Sequence, residues 1–378
     1  MFDLLDTTHT GIVPQSVGRH NRISAFMRIR QAGKLSRGGL SRLMGLSLPS
    51  ISSIINDLLS AGLIVETDMS LARSEPRSLL AINPEWGCVV CVSMTSNLAV
   101  GVVDLAGNVL SLNRVAGDGM THGLYRERFD ALLLDAFRAV MDESHKRKVL
   151  GVGVLSGGYV DDTGIVRYNG NLPRRDVDMK EVLHPLAPAP VCVEEENRLL
   201  LLSKMWGPQW EGWRNAVALN PGWLGCGGGH ALALNGRLYS GRRGMAGIDG
   251  QHLLTSPDGD EWMRLSQAVR RLGSPGEYLE RIRANDPAAR QALEAVVENY
   301  ARRLAQVASF ISPDVVFVYH PYSDCAPDFL DRVRQKVSRY ASPMCIEGME
   351  VRFGGRRSDE ERIAAAALPV LSHCLTTI

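Results

Sequence analysis

The 378-residue chain has no apolar run approaching the roughly 18 or more residues that cross a bilayer, which excludes a helical membrane span. It has almost no net charge: 42 basic against 41 acidic side chains leave +1, so a signal for a polyanionic partner has to be local. Cysteine is scarce and odd in number, seven residues at 88, 91, 192, 226, 325, 345 and 374 without framework spacing. That excludes a disulfide scaffold and points to buried, reduced thiols. Cys88-Val89-Val90-Cys91 has C-x-x-C spacing, but its apolar, strand-like setting favours a core role over redox or metal chemistry. Basic residues are missing where a secretory signal needs them, Asp3 and Asp6 standing there instead, so the expected compartment is the cytoplasm. What is there, 45% hydrophobic and 22% charged residues over this length, fits a soluble chain of two or three domains.

The most informative absence is local. Between Arg19 and Arg42 there is no Asp or Glu, while Arg19, Arg22, Arg28, Arg30, Lys34, Arg37 and Arg42 are all present. Such a run is by itself only a solvated face. Its setting is more specific. Ile23, Phe26, Met27 and Ile29 fit one face of a first helix, and Gly33 ends it. Ser36 opens a second helix over Arg37 to Met44, Gly45-Leu46-Ser47 forms a turn, and Pro49 suits the first turn of a third. In that third helix Ile51, Ile54, Ile55, Leu58 and Leu59 form a buried stripe and leave small polar residues outside. Leu63 to Glu66 and Leu79 to Ile82 read as a two-stranded wing carrying Arg73 and Arg77 towards its tip. The spacing predicts a winged helix-turn-helix over residues 1–82, with Arg37, Ser47, Pro49, Ser50, Ser52, Ser53, Asn56, Arg73 and Arg77 as DNA contacts. A three-helix protein-interaction module is the competing reading.

After Asn83-Pro84 strand-like and helical stretches alternate, which predicts an α/β body. Cys88 to Met94, Ala99 to Val103 and Val149 to Leu155 read as strands, and Leu124 to Glu143 as a helix. An ordered series of short stretches then resembles the ROK family (repressors, open reading frames, kinases). The series is Leu35-Ser36-Arg37, Gly45-Leu46-Ser47, Leu58 to Leu63, Val103-Asp104-Leu105-Ala106-Gly107, Gly151-Val152-Gly153-Val154, Asn171-Leu172-Pro173, Asn235 to Gly241 with Ala246-Gly247, and Ile311 to Val316. The resemblance implies a two-lobed actin-like ATPase fold behind the winged helix-turn-helix, with a first lobe over 83–198, completed by a C-terminal helix within 358–378, and a second over 199–357. It also implies a regulator whose body senses a sugar or sugar derivative.

Departures from the family pattern bear on chemistry. The phosphate loop D-x-G-x-T is replaced by Val92-Ser93-Met94-Thr95-Ser96-Asn97, which lacks its Asp and Gly. The catalytic Asp of E-N-D-x-N is replaced by Glu195 in Val193-Glu194-Glu195-Glu196-Asn197, and G-E-x-G-H by Gly247-Ile248-Asp249-Gly250-Gln251, with His252 one place off. Isoleucine accepts no hydrogen bond from a sugar hydroxyl. The zinc signature C-x-C-G-x-x-G-C has no counterpart in Pro257 to Ser266, which contains no cysteine. Gly225-Cys226-Gly227-Gly228-Gly229 resembles the family's nucleotide-side loop, but Tyr319-His320-Pro321-Tyr322 stands where the family has Gly-Gly.

The reading is therefore a DNA-binding regulator without enzymatic activity, cofactor or metal. Its expected partners are a double-stranded operator, a sugar-type effector and further copies of itself, as a homodimer or homotetramer. The resemblance places the effector between the lobes near Ser156, Gly157, Gly158, Asn169, Asn171, Glu195, Asp249, Gln251 and His252. The alternatives are an ATP-dependent sugar kinase with an accessory domain, and a constitutive DNA-binding protein on a scaffold body.

Overall fold

The computed structural model describes residues 14–67, 78–95, 97–115, 128–144, 147–170, 172–187, 189–208, 210–221, 228–247, 255–256 and 259–377. No described helix is long and apolar enough to cross a membrane. The chain forms two compact units, residues 1–210 with 362–378, and residues 211–361.

The first unit opens with α1 (Pro14–Ala32), β1 (Lys34–Ser36), α2 (Arg37–Met44), α3 (Leu48–Ser60), β2 (Ile64–Thr67) and β3 (Leu79–Ile82). The helices pack through the apolar stripes, burying Ile23, Phe26, Ile29, Leu40, Ile51, Ile55 and Leu58. The wing has three strands in the order β1-β3-β2, where the sequence suggested two. Lys34 to Ser36 adds an antiparallel edge opposite Ala81 to Leu79.

Next come β4 (Cys88–Met94), β5 (Leu98–Asp104), β6 (Val109–Arg114), α4 (Phe129–Ser144), β7 (Val149–Ser156), the short hairpin β8 (Tyr159–Val160) and β9 (Val166–Tyr168), α5 (Met179–Leu183), β10 (Val191–Glu195) and α6 (Glu196–Met205). The sheet runs β10-β7-β4-β5-β6, parallel from β10 to β4 and antiparallel from β4 to β6. Strands β4 and β5 are buried along their full length, as their near-continuous apolar sequence requires. Cys88 and Cys91 lie in this strand, unbridged and fully buried, and burial raises the Cys91 thiol above its ordinary range. Gly153 is required here by close approach: a Cβ on it would lie 1.9 Å from the Ala366 carbonyl oxygen of the C-terminal helices.

The second unit repeats this sheet plan. It contains β11 (Ala216–Asn220), β12 (Gly229–Leu234), β13 (Arg237–Tyr239), the hairpin β14 (Thr255–Ser256) and β15 (Gly259–Asp260), α7 (Glu261–Arg270), α8 (Pro275–Arg283), α9 (Pro287–Ile311), β16 (Val315–Tyr319), α10 (Phe329–Val337), α11 (Pro343–Ile346) and β17 (Glu350–Gly355). Its order, β13-β12-β11-β16-β17, again joins an antiparallel meander to parallel strands. The chain returns to the first unit through α12 (Asp359–Ala366) and α13 (Leu368–Thr377).

The first unit runs on to residue 210 and takes in all of α6. Leu199 to Leu202 are buried, and Arg362 Nε donates to Glu196 Oε1 at 2.7 Å with both side chains buried. Removing one partner of such a pair strands a buried charge and costs about 3–5 kcal/mol.

Candidate functional site

Two sets of polar residues stand out, and both belong to the first unit. The first lies on α2 and α3. Ser36 caps α2 by accepting from Gly39 N at 3.1 Å. Gly45 ends it at φ +64, a left-handed conformation that glycine adopts without strain. Ser41 Oγ donates to Leu46 O at 2.6 Å across the turn. Ser47 then caps α3, accepting from Ser50 N at 3.4 Å, with the two hydroxyls 2.9 Å apart. Since Ile51, Ile54, Ile55 and Leu58 face inward, Ser47, Pro49, Ser50, Ser53 and Asn56 are exposed together and Ser52 is half-buried. Asp57 is the only carboxylate on α3 and lies 3.5 Å from Arg22. Arg37 pairs with Glu66 of the wing at 2.5 Å in a largely exposed contact, which the sequence did not announce. Arg73 and Arg77 lie outside the described residues.

This segment is tied to the body through the end of α1. Gln31 Nε2 donates to Met205 O at 3.0 Å, so the last turn of α6 holds the last turn of α1. Arg30 approaches Gly107, where a Cβ would meet its guanidinium at 2.3 Å. Burial lowers the pKa of Arg30, and the Asp104 carboxylate acts in the opposite direction.

The second set lies where the parallel strands β4, β7 and β10 end, the edge at which α/β sheets present ligand-binding groups. Register puts Ser156 beside Met94 on one side and Glu195 on the other. Asn169, delivered by the β8–β9 hairpin, donates from Nδ2 to Met94 O at 2.8 Å and to Ser156 Oγ at 3.0 Å. Gly157 N donates to Met94 O at 3.0 Å, and Gly158 turns at φ +82 against the Tyr168 carbonyl. Ser156, Asn169 and Glu195 are all buried.

Glu195 is the N-cap of α6. Its Oε1 accepts from Asn197 N at 3.0 Å and Asn197 Nδ2 at 2.7 Å, and its Oε2 from Arg198 N at 3.0 Å. Burial pushes the carboxyl up to about 7, against the Arg198 charge and the two backbone donors that favour the anion. Beside it, Arg198 Nε donates to Glu194 Oε1 at 2.7 Å. Sequence reasoning placed Glu195 at a family base position. Its capping role was not announced locally, since Glu is not among the favoured N-cap residues.

Val92, Ser93 and Met94, in place of the phosphate-loop Asp and Gly, are fully buried in β4. In the second unit Tyr319, His320 and Tyr322 point into the core. The His320 and Tyr322 rings stack at 6.1 Å, His320 meets Phe329 at 4.5 Å, and burial with the Arg356 charge pushes its imidazole down to about 4. Asn171, Asp249, Gln251 and His252 lie outside the described residues, as do Ile248 and Gly225 to Gly227.

Comparison with known proteins fits this architecture. A protein of Caldicellulosiruptor bescii named xylose repressor is 19% identical over 355 residues, covering 84% of this chain and 87% of its own. A glucokinase of Halalkalibacterium halodurans is 22% identical over 263 residues, 60% of this chain and 78% of that one. A crystal structure described as a ROK family transcriptional regulator, homolog of the E. coli MLC protein, superposes with a TM-score of 0.70 at 18% identity over 95% of this chain and 97% of its own. That likeness establishes the fold, a winged helix-turn-helix followed by the actin-like ATPase fold. Residues 91–261 match the ROK family model, so the chain contains a ROK family domain over that stretch.

Proposed function

We propose that the chain is a sequence-specific DNA-binding repressor whose first α/β unit responds to a small polar ligand. The observation that carries this reading is α3: a capped helix with exposed Ser47, Pro49, Ser50, Ser53 and Asn56, whose one carboxylate faces an arginine. Short polar side chains admit a helix to the major groove, where its first turns meet base edges. The likeness to a protein named xylose repressor, over 84% of this chain, supports the same reading and makes carbohydrate-related genes the expected targets. The chain acts as a homodimer or homotetramer, which gives the operator its twofold pattern. Arg73 and Arg77 supply wing contacts.

Within the first unit, the ligand set comprises Ser156, Gly157, Gly158, Asn169, Asn171 and Glu195. Ile248 in place of a carboxylate leaves sugar hydroxyls without acceptors at about 1–3 kcal/mol each, so unmodified glucose binds poorly. A substituted or less hydroxylated ligand is favoured. Coupling runs along α6, which Glu195 caps beside the ligand set and whose Met205 carbonyl holds Gln31 of the DNA-binding segment. A ligand that binds differently to two positions of α6 shifts the DNA-binding equilibrium.

The similarity to glucokinases favours a second reading, an ATP-dependent sugar kinase. Against it stand the apolar strand where the phosphate loop belongs and a Glu195 whose two oxygens are engaged in the cap. Fragments of the source genome mixed with the full chain at low salt test the proposal. Selective retention of a few fragments, released by a pentose, hexosamine or polyol, supports it. Turnover of ATP with a hexose and no retained fragment would establish the kinase instead.

A further inference from the structure

Leu43 and Leu48 are the only leucines with exposed side chains among the described residues, at 54% and 55%; the others are buried or half-buried. A single exposed leucine is ordinary. Here both fall within six residues, on either side of the turn between α2 and α3. Leu43 lies in the last turn of α2, and Leu48 is the first residue of α3, beside the Ser47 and Ser50 hydroxyls.

Their surroundings indicate what they meet. Lys34 and Arg42 are exposed, no carboxylate occurs from Arg19 to Arg42, and Asp57 faces Arg22. Apolar side chains within a cationic surface, continuous with the polar face of α3, suit the DNA groove better than a second protein surface. A leucine offers neither donor nor acceptor. In the major groove the one base-edge group it can read is the thymine C5 methyl.

We propose that Leu43 and Leu48 are specificity-determining residues that pack against thymine methyl groups in each operator half-site, while the serine hydroxyls and Asn56 read hydrogen-bonding edges. This rests on the DNA-binding reading and adds to it a required A·T pair under the start of α3 in both half-sites.

The test uses the full chain and a duplex selected by it from a random-sequence library. Each half-site thymine is replaced in turn by deoxyuridine, which removes only the methyl, and affinity is measured for wild type, Leu43→Ser and Leu48→Ser. Loss of about fourfold at one or two positions in wild type, with no further loss there in the matching variant, is the expected result. Because both side chains are exposed, the variants keep the wild-type melting temperature. Equal binding of thymine and uracil duplexes by wild type overturns the proposal alone. So does a variant that changes oligomeric state while the methyl dependence persists, which assigns the leucines to a contact between copies. Failure to enrich any duplex removes the DNA-binding reading and this inference together.

Discussion

Glu195 makes a sharp prediction because its environment opposes its charge. Its carboxyl is 5% exposed and titrates near 7 in the folded chain, against an ordinary value of 4.5, with burial as the main cause. In the unfolded chain the proton leaves at the lower value. Between the two pH values folding therefore takes up a proton, and stability falls as pH rises through that window and is flat above it. At about 1.4 kcal/mol per pH unit the gap corresponds to about 3 kcal/mol by pH 8. Glu195→Gln keeps an oxygen to accept from the α6 N–H groups and removes the titration. Relative to wild type, the variant should thus gain about 3 kcal/mol between pH 4 and pH 8. Urea unfolding at a series of pH values reads this, with Trp206 fluorescence as the local probe, since that buried ring follows the last residue of α6. Parallel stability curves for the two proteins would refute the argument. A variant that loses ground as pH rises would show that the cap donors, not burial, set the pKa.

Glu196→Ala removes the buried Glu196–Arg362 ion pair and should cost about 3–5 kcal/mol in urea unfolding, whereas a change in the exposed Glu66 should cost less than about 1 kcal/mol. Gln31→Ala removes the α1 contact to Met205; operator and ligand affinities measured separately should persist, while the effect of ligand on operator affinity falls several-fold. Arg37→Ala should leave the melting temperature nearly unchanged, since its pair with Glu66 is largely exposed, yet lower operator affinity on every sequence and reduce the salt slope by about 1.

What could be read from the sequence divides by range. Gly33, Gly45, Ser36, Ser47 and Pro49 are local signals, and α1 to α3 begin or end at them. β1 was not visible in the same way: three residues become a strand only through pairing with Leu79 to Ala81, more than forty positions away. The link from α6 to the C-terminal helices is likewise long-range: Glu196 meets Arg362, 166 residues later. At the ends of β4 and β7, Asn169 and Ser156 are thirteen residues apart and meet because a glycine turn and a short hairpin fold one onto the other. Glu195 was placed among the effector residues through the family motif, whereas its capping role emerges only from the structure, since Glu is not among the favoured N-cap residues. Leu43 and Leu48 look like ordinary core residues in a hydrophobicity pattern, and only their exposure distinguishes them.

The most direct test of the central claim is a hydroxyl-radical footprint of the full chain on its selected duplex, repeated with Ser53→Ala and Asn56→Ala. The account predicts two protected half-sites related by a twofold axis, about 10–10.5 base pairs or a multiple apart, with the preferred bases altered in the variants. Uniform protection without twofold symmetry, unchanged by either substitution, would contradict it.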